Sequence, residues 1–222
     1  MKKIFSFSSL KTYQRTHRED FPEGLGLRTH RALSWLQRTE DEDDDLDAKF
    51  IFLWISFNAA YAQERCLGEK LSDRKLALRF IHELIQDDDE CLLYNALWDE
   101  FTQAIRALMN NPYVFPDFWD YQSGLIPEDQ WKAKFDFSKQ AINKAIGSKN
   151  TTRVLAILLE RLYVLRNQLI HGGATWNSGI NRDQIRDATR IMARIVPITI
   201  HLMMTNQSRN WGTPFYPVII NK

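Results

Sequence analysis

The sequence predicts an all-α fold with an irregular N-terminal arm, and three observations carry that reading. Apolar residues recur every three or four positions through most of the chain, most plainly at Val154, Leu155, Leu158, Leu159, Leu162 and Leu165, the spacing of one helix face. No segment shows the strict apolar–polar alternation of a half-buried strand. Asp-, Asn-, Gly- and Pro-rich breaks separate the periodic stretches.

Residues 1–28 mix Ser, Thr and charges with Pro22, Gly24 and Gly26, and read as an arm of little regular structure. A short first helix follows over Arg31–Arg38. Seven acidic residues then crowd into Glu40–Asp47 around Leu46. They read as a solvated connector whose charge favours the N-terminus of the next helix. A divalent-metal site there has no defensible ligand spacing. The helix from Asp47 to about Cys66 is apolar nearly all round, so it is the expected central helix. Ser56, Ala59, Ala60 and Ala62 offer small surfaces where another helix can cross. Asn58 is its one strongly polar core residue. It serves either as a structural amide bonding a neighbouring carbonyl or as support for a site elsewhere.

Ser72–Gln86 and Glu90–Met109 read as further helices. Residues 111–127 read as a loop, with Pro112, Pro116 and Pro127 among Tyr113, Phe115, Phe118, Trp119 and Tyr121. Such aromatics either pack a loop onto the body or stack on RNA bases. A helix over Glu128–Ile146 has Gly147 at its expected C′ position. Asn150, Thr151 or Thr152 caps the next one. A turn over 174–181 leads to a last helix opened by Asn181 or Asp183, in which Pro197 predicts a kink or break. The division is an arm over 1–28, a helical domain over 29–206 and a tail over 207–222.

The 222 residues are 44% hydrophobic and 26% charged, ordinary values for a soluble globular protein. A net charge of +1 gives no global basic field, so any nucleic-acid site is a local patch. Cys66 and Cys91 have neither a CxxC spacing nor a His partner, which argues against a disulfide framework or a zinc site and for a reducing cytoplasm. The apolar part of Met1–Phe7 is too short for a secretory signal. The thirteen-residue apolar run over 50–62 is too short to cross about 30 Å of hydrocarbon. No Gly-rich phosphate loop marks a nucleotide cofactor, and no cofactor is expected.

The chemistry-bearing segment is Arg166-Asn167-Gln168-Leu169-Ile170-His171, followed at once by Gly172-Gly173. Arg166 falls within the apolar half of its helix, although a guanidinium is almost never buried without a partner. Asn167 and His171 are four apart and share a strip beside it. RNA cleavage by its own 2′-hydroxyl needs a base, an acid and a cation for the phosphate. Imidazole, with a pKa of about 6.5, suits both proton roles. Arginine supplies a planar, permanently charged fork. Asn167 can hold the ring or bind phosphate. The glycine pair lets His171 leave helical geometry. His17, His30, His82 and His201 lie in other segments and read as surface or core residues.

The Arg-polar-three residues-His pattern resembles the HEPN family of small all-helical proteins. The segment Phe50–Ala62, with Trp54-Ile55-Ser56-Phe57-Asn58-Ala59-Ala60-Tyr61, is similar to the apolar helix that precedes the motif helix in Apea-like HEPN proteins. The resemblance covers roughly residues 30–205 and implies an antiparallel helical bundle. It further implies a metal-independent endoribonuclease that leaves 2′,3′-cyclic phosphate and 5′-hydroxyl ends, with Arg166, Asn167 and His171 catalytic and Asn58 supporting the site. HEPN ribonucleases pair two motifs across a homodimer cleft, which supplies the second histidine that one chain lacks. The setting implied is that of a toxin or defence effector with an antitoxin partner. The competing member of the family is a non-catalytic module that binds a nucleotide or a nucleotidyltransferase-like protein. A third reading makes Arg166 the neutraliser of a buried carboxylate such as Glu160 or Glu64.

The last helix repeats arginine every fourth residue at Arg182, Arg186, Arg190 and Arg194. This stripe either tracks RNA phosphates or serves ion pairs with Asp183 and Asp187.

Overall fold

The structure, a computed structural model, describes residues 5–62 and 73–216. It is all-helical, with no strand among the described residues, and none of the described helices is long and apolar enough to cross a membrane. Two compact units divide the chain, residues 1–92 with 192–222 and residues 93–191.

The first unit begins with a helix where an irregular arm is expected. Helix α1 spans Phe7–His17, and its cap Ser6 exchanges hydrogen bonds with Ser9 in a capping box, which satisfies first-turn donors. Helix α2, Glu23–Glu40, is longer than the helix expected at Arg31–Arg38. Gly24 and Gly26 sit inside it instead of breaking it, because the face formed by Leu25, Thr29, Ala32, Leu33 and Leu36 is buried. Phe7 N–H donates to Glu40 Oε1 (2.7 Å) and Gln14 Nε2 to Thr29 Oγ1 (3.2 Å), so α1 and α2 run antiparallel.

Helix α3, Leu46–Tyr61, opens on the last part of the acidic run: Asp45 accepts the Ala48 N–H at 2.9 Å. It crosses α2 where small residues permit. Ser56 Oγ donates to Ala32 O (2.7 Å), and Arg28 Nη1 donates to Ala60 O (2.8 Å). These pairings make α2 and α3 antiparallel. Phe50, Leu53 and Phe57 are completely buried, as expected of a central helix. The expected continuation to Cys66 and the start at Ser72 lie outside the described residues. Helix α4 covers Asp73–Gln86.

The second unit differs from expectation at two places. The stretch read as one helix over Glu90–Met109 is α5 (Leu92–Asn95), a π turn (Ala96–Glu100) and α6 (Thr102–Met109). The stretch read as a loop over 111–127 contains a 3₁₀ turn at Pro112–Val114 and helix α7, Pro116–Gln122. Pro112 and Pro116 each stand at a first-turn position, where the missing N–H costs nothing. Helix α8 spans Glu128–Gly147. Gly147 is helical, and the left-handed residue beyond the helix is Lys149, with φ 50°. Asn150 caps helix α9, Thr151–Ile170, accepting the Arg153 N–H at 2.9 Å.

Helix α10, Arg182–Thr205, continues through Pro197 without interruption. Residues 195–200 around the proline are all buried, and that packing offsets the lost helix bond, which costs about 3 kcal/mol in an unsupported helix.

Candidate functional site

The motif occupies the end of α9, and its backbone explains its sequence. His171 is the C-cap, with φ −92° and ψ 10°, and its N–H donates to Asn167 O. Gly172 follows in the left-handed region at φ 70°, where a side chain is strained. At Gly173 an added Cβ would stand 3.3 Å from Gln168 O. The next amide, of Ala174, donates to that carbonyl at 3.1 Å. The glycine pair therefore folds the chain back over the last turn and ends the helix at His171.

Three polar side chains cluster there. Arg166 is half-buried, and its Nη1 donates to Asn167 Oδ1 at 2.9 Å. Its Nε is buried with no hydrogen-bond partner among the described residues, and its guanidinium lies 5.7 Å from the Tyr163 ring centre. Asn167 is half-buried and His171 is exposed. Among the described residues Arg166 has no ion pair with a carboxylate, Glu160 included. Glu64, the other carboxylate considered for it, lies outside the described residues. Arg166 thus stands, with one edge fixed by Asn167, at the margin of a buried face.

The motif helix is tied to the aromatic segment. Gln168 Nε2 donates to Tyr113 O (2.7 Å), which also accepts from Trp119 Nε1 (2.8 Å). The rings mostly pack on one another: Tyr113 and Trp131 both meet Phe118 edge-on, Tyr121 stacks on Trp131, and Phe115 packs on Phe135. The packing role is therefore met, with Tyr113 and Trp119 exposed at the margin.

Sequence reasoning missed Arg161, the fully buried cation of α9. Nη2 donates to Ser138 Oγ (2.7 Å), and the guanidinium covers the Phe115 ring at 4.3 Å. Burial pushes its pKa down to about 10. The signal was present. Ile157 and Val164, both buried, stand four before and three after it on the same face, so the true apolar face includes Arg161 and leaves Arg166 at its edge.

The arginine stripe gives a mixed answer. Arg186 pairs with Asp183 (2.9 Å) and more weakly with Asp187 (3.8 Å). Arg182 Nε donates to Ser178 O (3.2 Å). Arg190 is exposed and has no ion pair among the described residues. Arg194 belongs to the first unit, as does Asn58, whereas the motif lies in the second. Asn58 Oδ1 is buried and has no hydrogen-bond partner among the described residues. His17 and His201 stack on Tyr13 and Phe5, and His82 meets Gln86. Cys91 is a free thiol, and Cys66 lies outside the described residues.

Comparison with known protein families, with curated proteins and with solved structures finds no match to this chain.

Proposed function

We propose that the chain is a HEPN-like, metal-independent endoribonuclease that acts as a homodimer. The observation that carries this reading is the end of α9, where Arg166, braced by Asn167 and without an ion pair among the described residues, precedes an exposed His171. In the reaction the 2′-oxygen attacks the adjacent phosphorus as one imidazole takes its proton. The bond to the 5′-oxygen breaks, and an imidazolium returns a proton to that oxygen. The products are a 2′,3′-cyclic phosphate and a 5′-hydroxyl. Arg166 neutralises the phosphate oxygens. The second imidazole is the copy of His171 in another protomer. Tyr163 and Ile170, exposed on α9 beside the motif, and Trp176 and Ile180 in the following turn supply apolar surface for a self-complementary contact.

The test is cleavage of single-stranded RNA with end-group analysis. His171→Ala and Arg166→Ala should each lower the rate by about 10²–10⁴-fold, the usual range for a lost proton-transfer group, with helical content unchanged. Arg166→Lys should also be poor, because an ammonium lacks the bidentate fork. Cleavage should survive EDTA. Wild-type activity in His171→Ala would overturn the assignment, and absence of cleavage under all conditions would leave a non-catalytic binding module.

A further inference from the structure

A second cationic site lies in the other unit, between α1 and α2. Lys11 and Arg15 are one helical turn apart on α1, and His30 reaches the same groove from α2. Like charges four apart on a helix repel by a few tenths of a kcal/mol. Here the residues lining the groove include no acid. Among the described residues neither Arg15 nor His30 makes an ion pair, and Lys11 spends one donor on Gln14 Oε1 (2.6 Å). Burial, then Arg15 and Arg18, push the Lys11 pKa down, as expected of a cation held in an unneutralised positive field. The nearby Glu40 accepts the Phe7 N–H and so is committed to the start of α1.

Apart from Phe7, the rest of the lining is polar, although the Thr12 hydroxyl already donates to Ser8 O (3.0 Å). Ser8 and Thr12 come from α1, and Ser34 and Gln37 from α2. The groove encloses about 360 Å³, near the lower end of the range for small-molecule sites. An arginine, a lysine, an imidazole and several neutral donors exceed what a carboxylate, with one charge and two oxygens, can use. A terminal phosphate offers about −2 charge and three strong acceptor oxygens.

We propose that this groove binds a small phosphate monoester, its phosphoryl group held by Lys11, Arg15 and His30. The site is independent of the ribonuclease reading, because none of its residues belongs to the motif or to the arginine stripe.

Calorimetric titration of the full chain with AMP, inorganic phosphate and adenosine tests the proposal. AMP should bind saturably, phosphate more weakly, and adenosine not at all. The Lys11→Gln, Arg15→Ala double variant should lose at least about tenfold in affinity, or about 1.4 kcal/mol. Ser34→Glu, which sets a carboxylate into the groove while leaving Lys11, Arg15 and His30 in place, should do the same with an unchanged circular dichroism spectrum. Unaltered AMP binding by Ser34→Glu would overturn the location. Equal binding of adenosine would overturn the phosphate chemistry. Saturable binding of oligoribonucleotides alone would overturn the small-ligand assignment, and binding of AMP by a chain that never cleaves RNA would uphold this site while removing the nuclease reading.

Discussion

Arg28 and Arg161 are both buried, and burial pushes each guanidinium down to about 10, yet they are held in different ways. Arg28 donates to three carbonyls, those of Ala60, Gly212 and Thr213. Arg161 has one hydroxyl and a ring face. Replacing Arg28 with Met removes three charge-assisted bonds and regains the desolvation cost, a net loss of about 2–4 kcal/mol. Arg161→Met keeps the volume and the ring contact, and should cost less than about 1.5 kcal/mol. Urea denaturation of the two variants checks the ranking, and an equal loss would contradict it. The sign of the pH effect follows from linkage. Because each folded pKa lies below the ordinary arginine value, the unfolded chain binds the proton more tightly. The cost of burying each charge is constant below about pH 10 and fades as the pH rises from there. From about pH 6 to about pH 9 the stability gap between wild type and either variant should therefore stay flat.

On α10, Arg186 is engaged by Asp183 and Asp187 whereas Arg190 is not. If the stripe tracks phosphates, reversing both arginines to Glu should weaken RNA binding and reduce the salt slope by about one unit per lost contact. Thermal stability should move little, since exposed helix ion pairs contribute only about 0.3–0.5 kcal/mol each. Arg190→Glu alone should weaken binding more than Arg186→Glu, because its charge is not already shared. Unchanged affinity and salt slope in the double variant would reduce the stripe to intrahelical pairing. Elements with strong local signals were legible in the sequence: the apolar α3, a cap within Asn150–Thr152 and the glycine stop after His171. Helix α1 was not. It buries only Leu10 and Gln14, too thin a face to stand out among its Ser and Thr residues, and packing on α2 completes it. The motif was legible because Arg166, Asn167 and His171 lie within two turns. The Gln168–Tyr113 tie and the Lys11–Arg15–His30 groove were not, because their partners meet only through the tertiary fold.

At the scale of the whole molecule, the proposed nuclease needs more than one chain can provide, since each carries a single motif histidine. Light scattering over a concentration series should show a dimer. Ile170→Asp, which puts a charge on an exposed apolar position beside the motif, should shift it toward monomer and lower cleavage, with the helical signal unchanged. A monomer at high micromolar concentration would remove the interface argument. Dimerisation alone would not show a shared site, because a dimer can carry two independent ones. Mixing separates these cases. When wild-type protein is exchanged with increasing His171→Ala protein, a site built from both copies works only in wild-type homodimers, so activity should fall as the square of the wild-type fraction. Independent sites would make it fall linearly, and that result would assign both proton transfers to groups within one protomer.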